Sequence, residues 1–168
     1  MVPEGNKMEI IKVRMADFKV SQENVILKTM GLGSCVGIAL YDPTTKIGGL
    51  AHIMLPDSNR YHNSIEKTNL AKFADSSIEK MLEKMKELGA NLSRILAKIA
   101  GGAHMLRNET TFFRIGDENV GAVRKKLKEK HIQIVSEDTG ADYGRTVELD
   151  LNTGAYSIRT AGRDVKII

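Results

Sequence analysis

Two rhythms of apolar residues run through the chain. The period of two, in which successive side chains point to opposite faces, marks the strands. It puts Val25, Leu27 and Thr29 on one face of a strand over residues 24–30. It also predicts strands over 8–15, 35–41 and 47–55, with a turn and a short strand between 16 and 23. Asp42-Pro43-Thr44-Thr45-Lys46 joins 35–41 to 47–55 as a hairpin. On the second arm Leu50, His52 and Met54 share one face, and Ala51, Ile53 and Leu55 the other. Both faces are mainly apolar, as in a strand covered on two sides. Helical spacing takes over at 69–88, where Leu70, Phe73, Ala74, Ile78, Met81, Leu82, Met85 and Leu88 line one side. Thr68 or Asn69 suits its N-cap and Gly89 its C′ position. A second helix runs from a cap at Asp117 to about Lys130, with Val120, Val123 and Leu127 inward and lysines in its last turns. Further strands are expected over 95–100, 132–135, 146–151 and 155–159, with Glu137-Asp138-Thr139-Gly140 as a turn. The strands come in hairpins more often than in βαβ alternation. The predicted class is therefore α+β, mixed β-sheets with helices packed outside, and not a doubly wound sheet.

Length and charge narrow this picture only a little. A chain of 168 residues suits one domain over 1–168, with 1–7 as a frayed end. The net charge of +4 is a mild excess that a solvated surface accounts for. No basic stripe interleaved with aromatic residues argues for nucleic acid. No apolar run is long enough to span a bilayer, and Met1–Lys7 lacks a signal-peptide core. One cysteine excludes an intramolecular disulfide and fits a reducing cytoplasm. The expectation is a cytoplasmic protein without membrane insertion. One cysteine and scattered histidines do not suit a zinc site.

The candidate chemistry lies around Thr29-Met30-Gly31-Leu32-Gly33-Ser34-Cys35. A cysteine is first a small buried hydrophobe. Here, however, it follows two glycines spaced by one residue, and glycine permits the positive φ and close backbone approach that would expose a nucleophile. The turn's free N–H groups would then face a developing oxyanion. The motif is neither a Walker loop, whose lysine is missing, nor a dinucleotide fingerprint, whose third glycine is missing. The hairpin brings His52 within reach of Cys35. A free thiol titrates near about 8.5, and a neighbouring imidazole can accept its proton. Such an imidazole is usually oriented by a third polar group. The residues alone leave Thr29 open between that role and a plain β-former at a strand end. His62, His104 and His131 carry weaker signals, and Glu137-Asp138 reads as a turn cap. Gly101-Gly102 allows either a close ligand approach or a strand turn, and Phe112-Phe113 either a docking patch or core.

Five separated motifs then occur in order: Gly31-Leu32-Gly33-Ser34-Cys35, Ala51-His52-Ile53-Met54-Leu55-Pro56, Lys98-Ile99-Ala100-Gly101-Gly102-Ala103, Ile115-Gly116 with Asn119, and Glu137-Asp138-Thr139-Gly140. Together they resemble the chemoreceptor glutamine deamidases of bacterial chemotaxis, the CheD family, over roughly residues 8–160. The resemblance implies a fold similar to the catalytic domain of the cytotoxic necrotizing factor toxins, a mixed β-sandwich with flanking helices. It implies hydrolysis of glutamine side chains on methyl-accepting chemotaxis receptors to glutamate, without metal or organic cofactor. It assigns catalysis to Cys35, His52 and Thr29, through a thiolate–imidazolium pair and a thioester. It implies a second partner, a chemotaxis phosphatase of the CheC type. The alternative from another class is a binding module that regulates such a phosphatase with little catalysis of its own. One departure is visible: Ala141 stands where the family's turn often continues with a second glycine.

Overall fold

The computed structural model describes residues 7–61, 69–105 and 114–168. His62, Thr68 and Phe112-Phe113 lie outside the described residues, as does most of the segment expected to fray. In chain order the elements are β1 (Glu9–Lys12), β2 (Asp17–Ser21), β3 (Val25–Leu32), β4 (Val36–Asp42), β5 (Ile47–Ile53), α1 (Ala74–Leu88), β6 (Leu96–Gly101), α2 (Ile115–Glu129), β7 (Gln133–Thr139), β8 (Arg145–Asp150), β9 (Tyr156–Arg159) and β10 (Lys166–Ile167). They build two five-stranded sheets. The front sheet has the order β1-β3-β8-β9-β10 and the central sheet β2-β5-β4-β6-β7. Each is mixed: β1 runs parallel to β3 and β6 parallel to β7, while the other pairs are antiparallel. The class is the expected α+β sandwich of mixed sheets. Both helices cover the outer face of the central sheet.

Alternation explains the layering. β4 and β5 are buried at every position. Val36, Ile38, Leu40, Ala51 and Ile53 pack with Ile78, Met81 and Met85 of α1 and Val120, Val123 and Leu127 of α2. Ala39, Tyr41 and Leu50 point the other way, into a second core with Leu27, Val147, Leu149 and Tyr156 of the front sheet. Each fully buried side chain of this size contributes about 2 kcal/mol by leaving water. β3 reads buried at Val25, Leu27 and Thr29, so its predicted inner face is the observed one.

Several boundaries differ from the sequence pattern, each for a physical reason. The first helix starts at Ala74, not near Asn69. Phe73 is extended, at φ −107° and ψ 144°, and bridges Leu55, while the Lys72 carbonyl accepts from the Met54 and Leu55 amides. That pairing takes the backbone groups an earlier helical turn would use, and Asn69 caps only a single 3-10 turn. Gly89 closes α1 in the left-handed region at φ +109°, as predicted. α2 begins at Ile115, which puts Asp117 inside the first turn, where its charge still favours the helix dipole. β7 continues through Glu137, Asp138 and Thr139, which pair with Ile99, Ala100 and Gly101. As the edge of its sheet it alternates exposed and half-buried positions, so polar residues do not end it. β10, at two residues, is too short to carry a periodic signal.

Candidate active site

The register of the hairpin sets the first two side chains. β4 and β5 are antiparallel, with Gly37 opposite His52. Cys35 lies two residues before Gly37 and packs among the front-sheet core residues, so it shares the face of His52. The two are diagonal neighbours across one strand pair. Gly37 puts no side chain between them. A Cβ there would meet the Tyr156 hydroxyl at 2.7 Å and Leu32 Cδ1 at 2.9 Å. The third side chain comes from the opposing sheet. Thr29, on the inner face of β3, places Oγ1 2.7 Å from His52 Nδ1. All three are buried: Thr29 and His52 are each 1% exposed and Cys35 8%. The glycine turn therefore does not lift the thiol clear of its surroundings, as the sequence suggested.

A single proton fixes the tautomer of the ring. The Thr29 hydroxyl donates to the Val13 carbonyl at 2.8 Å. A hydroxyl has one hydrogen and a carbonyl has none to give. Thr29 must therefore accept from His52, and Nδ1 carries the proton. Nε2 is left with its lone pair, is buried, and has no hydrogen-bond partner among the described residues. Burial pushes the His52 pKa down to about 4. Burial also pushes the Cys35 thiol up, opposed only in part by the cysteine's own amide. Both shifts favour a neutral thiol beside a neutral imidazole at pH 7.

The loop before β4 is held by the backbone that follows β6. Gly31 takes φ +73°, and the pairing of β3 with β8 slips between Thr29 and Leu32. The Gly102 amide donates to the Cys35 carbonyl at 2.8 Å, and the Ala103 amide to the Gly33 carbonyl at 2.8 Å. Gly101, at φ +109°, comes so close that a Cβ there would stand 2.3 Å from the Cys35 oxygen. The glycine pair thus serves close approach, though to the backbone of Cys35. Behind it, the Gly140 amide donates to the Gly101 carbonyl and the His104 amide to the Ala141 carbonyl. Arg145, 2% exposed, ties that turn down by donating to Asp138 and to the Gly140 carbonyl. Ala141 adopts φ +60°, a conformation a second glycine would take at less cost.

With the geometry in place, known proteins can be set beside it. A family described as "CheD chemotactic sensory transduction" matches over residues 54–160. A Caldanaerobacter subterraneus subsp. tengcongensis protein is 47% identical over 162 residues, covering 95% of this chain and 98% of its own length. The chain belongs to the CheD family. The Caldanaerobacter relative is named "Probable chemoreceptor glutamine deamidase CheD". A Moorella thermoacetica protein of the same name is 46% identical, covering 96% of this chain and 97% of its own. One from Haloarcula marismortui is 42% identical, at 96% and 91%. Among solved structures, a Neisseria meningitidis protein described as DUF152 superposes with a TM-score of 0.52 at 9% identity, covering 80% of this chain and 64% of its own. That likeness concerns the fold alone. The CheD match begins at Met54, so Thr29, Cys35 and His52 precede it, whereas the full-length CheD relatives span nearly the whole chain.

Two contributors to the site were not assigned from the sequence. The Val13 carbonyl is a backbone group, and no residue type announces it. Asn119 is fully buried on α2, where its Nδ2 donates to the Ser34 carbonyl at 3.0 Å and the Met54 carbonyl at 2.9 Å. Its signal was present. Asn119 falls on the apolar stripe of α2 with Val120, Val123 and Leu127, where a polar residue calls for an explanation. His104 and His131 stay outside this set. His104 pairs with Asp117 at 3.0 Å, and His131 takes φ +57° just past the end of α2. Among the described residues no helix is long and apolar enough to cross a membrane.

Proposed function

We propose that the chain deamidates glutamine side chains of chemoreceptors, with Cys35 as nucleophile, His52 as general base and Thr29 as the group that orients His52. The carboxamide substrate follows from membership of the CheD family, whose relatives carry the glutamine deamidase name. The observation that carries the mechanism is His52 Nε2: buried, deprotonated and without a partner among the described residues, on the face that Cys35 shares.

The steps follow from the charge states. Because burial holds thiol and imidazole neutral at rest, the proton moves as the sulfur attacks and not beforehand. Sγ bonds to the carboxamide carbon, and its proton passes to Nε2. The carbonyl oxygen becomes an oxyanion beside the Cys35 amide, a donor whose removal typically costs about 10²–10³ in rate. The imidazolium, still held at Nδ1 by Thr29, gives its proton to the nitrogen, and ammonia leaves a thioester. Water then attacks, Nε2 takes its proton, and collapse returns that proton to sulfur and frees glutamate. Throughout, the Thr29–Val13 link keeps Nδ1 protonated, so Nε2 is the atom that cycles.

Receptor glutamines lie on cytoplasmic helical bundles, so the enzyme acts in the cytoplasm. Each turnover adds one negative charge there, worth a few tenths of a kcal/mol per like-charged neighbour on a helix surface. A CheC-type phosphatase is the second proposed partner. The deciding experiment is peptide mass spectrometry of a purified receptor cytoplasmic domain incubated with wild-type and Cys35→Ala protein. Conversion with wild type alone is the expected outcome, with a rate loss of ~10⁴-fold or more. Undiminished conversion by Cys35→Ala overturns the mechanism. If neither protein converts a receptor it binds, the binding-module reading replaces it.

A further inference from the structure

The last rung of the β4–β5 ladder pairs Val36 with Ile53. Beyond it the two chains part, one leading back through Cys35 to Ser34, the other onward to Met54. The side chain of Asn119 sits in that fork. One hydrogen of its amide goes to the Ser34 carbonyl and the other to the Met54 carbonyl. The opposite amide orientation would set an oxygen against two carbonyl oxygens, so the assignment is forced. The cost is visible at the other end, where Oδ1 is buried with no partner among the described residues. A leucine or methionine would suit this apolar stripe and carry no unmet Oδ1, but it would take the donor away from the Ser34 and Met54 carbonyls. Asparagine is therefore present for its two N–H groups, and those grip the residue before the nucleophile and the residue two past the base.

We propose that Asn119 is a positioning residue that sets the separation of Cys35 from His52 by clamping the splayed ends of their strands. The inference rests on the reading of Cys35 and His52 given above. It predicts that losing the clamp lowers turnover without weakening substrate binding. A misplacement of about 1 Å at reacting atoms can cost about 10²-fold in rate.

The test compares Asn119→Leu, which keeps the bulk of the stripe but has no donors, with Asn119→Asp, which is isosteric and turns the clamp into repulsion. Val123→Ala serves as the control, because it opens a cavity one turn further along the same helix while both Asn119 donors remain. Ammonia release from the receptor domain gives kcat and KM per folded molecule. The rate at which iodoacetamide alkylates Cys35 gives a second readout that needs no turnover. We expect kcat to fall about 10²-fold in both Asn119 variants with KM within twofold, and the alkylation rate to shift at least threefold. Val123→Ala should lower only the melting temperature. Wild-type kcat per folded molecule in Asn119→Leu, or an alkylation rate that matches the wild type, overturns the proposal. A Cys35→Ala protein that still turned over would instead remove the nucleophile reading on which it rests, and that outcome would appear in the Cys35 variant alone.

Discussion

The two ends of β4 treat a buried polar group in opposite ways. At one end Asp42 is fully buried and every oxygen is met. Arg94 donates to Oδ1 at 3.1 Å and to Oδ2 at 3.0 Å, and the amides of Thr44 and Asn91 add bonds at 3.0 and 2.9 Å. Burial alone would raise the carboxyl pKa, but these donors outweigh it and hold it well below the usual carboxylate range. At the other end His52 is buried with no opposite charge among the described residues, so it gives up its proton and keeps a lone pair that none of them meets. Asn119, on α2, likewise leaves an acceptor unmet among the described residues. A buried group supplied with partners becomes scaffold, whereas one denied its last partner stays available to a substrate.

The sharpest way to break this contrast is to change what the site's histidine holds. In Thr29→Val the strand keeps its shape, but Nδ1–H loses its acceptor and nothing fixes the proton away from Nε2. Turnover should fall on the order of 10²-fold, while Thr29→Ser stays within a few-fold of wild type. Ammonia-release kinetics on the two variants would measure this, and equal rates for Thr29→Val and wild type would dismiss the orienting role.

A pH profile gives the next largest effect. Histidine ordinarily titrates near about 6.5, and burial lowers His52 to about 4. A base works unprotonated, so if His52 has the proposed role kcat/KM should hold level from pH 7 to about 5, halve near 4 and drop about tenfold per unit below that. An acid limb centred near 6.5 would contradict the buried neutral pair. The stability term has the same sign. Unfolded His52 takes up a proton that the folded ring refuses, so this contribution is complete above the unfolded value and is lost as pH falls toward 4. The depressed Asp42 carboxyl also favours the folded state above its ordinary value, and its contribution is lost only at still lower pH.

The smallest effect on turnover comes from the satisfied end. Asp42→Asn weakens its charge-assisted bonds and should lower stability by about 2 kcal/mol, or about 5 °C in melting temperature. Turnover per folded molecule should not change. If it does, the two ends of β4 are coupled and the contrast fails.

How much of this could be read from the sequence depends on distance along the chain. The β4–β5 hairpin is local, so its turn already brought His52 within reach of Cys35, and the register then put them on one face. The inner face of β3 was equally legible in Val25, Leu27 and Thr29. What lay beyond that face was not. Spacing says that Thr29 points inward, but only the docking of one sheet on the other says that it meets His52, and family resemblance had to supply that pairing. Asn119 lies 85 residues from Ser34 and 65 from Met54, so no local pattern links them. The start of α1 was misplaced for the same reason. The bridge between Phe73 and Leu55 is a tertiary contact that overrides a correctly read helical period.

The placement of Thr29 and His52 on different sheets has a consequence for biosynthesis. Thr29, Cys35 and His52 all emerge from the ribosome early. Yet β8, β9 and β10, three of the five strands in the sheet that carries Thr29, arrive only after residue 144. A nascent or truncated chain can hold all three proposed site residues and still lack most of the docked sheet that carries Thr29. If the proposed roles hold, an unfinished chain carries the three residues without the geometry that joins them.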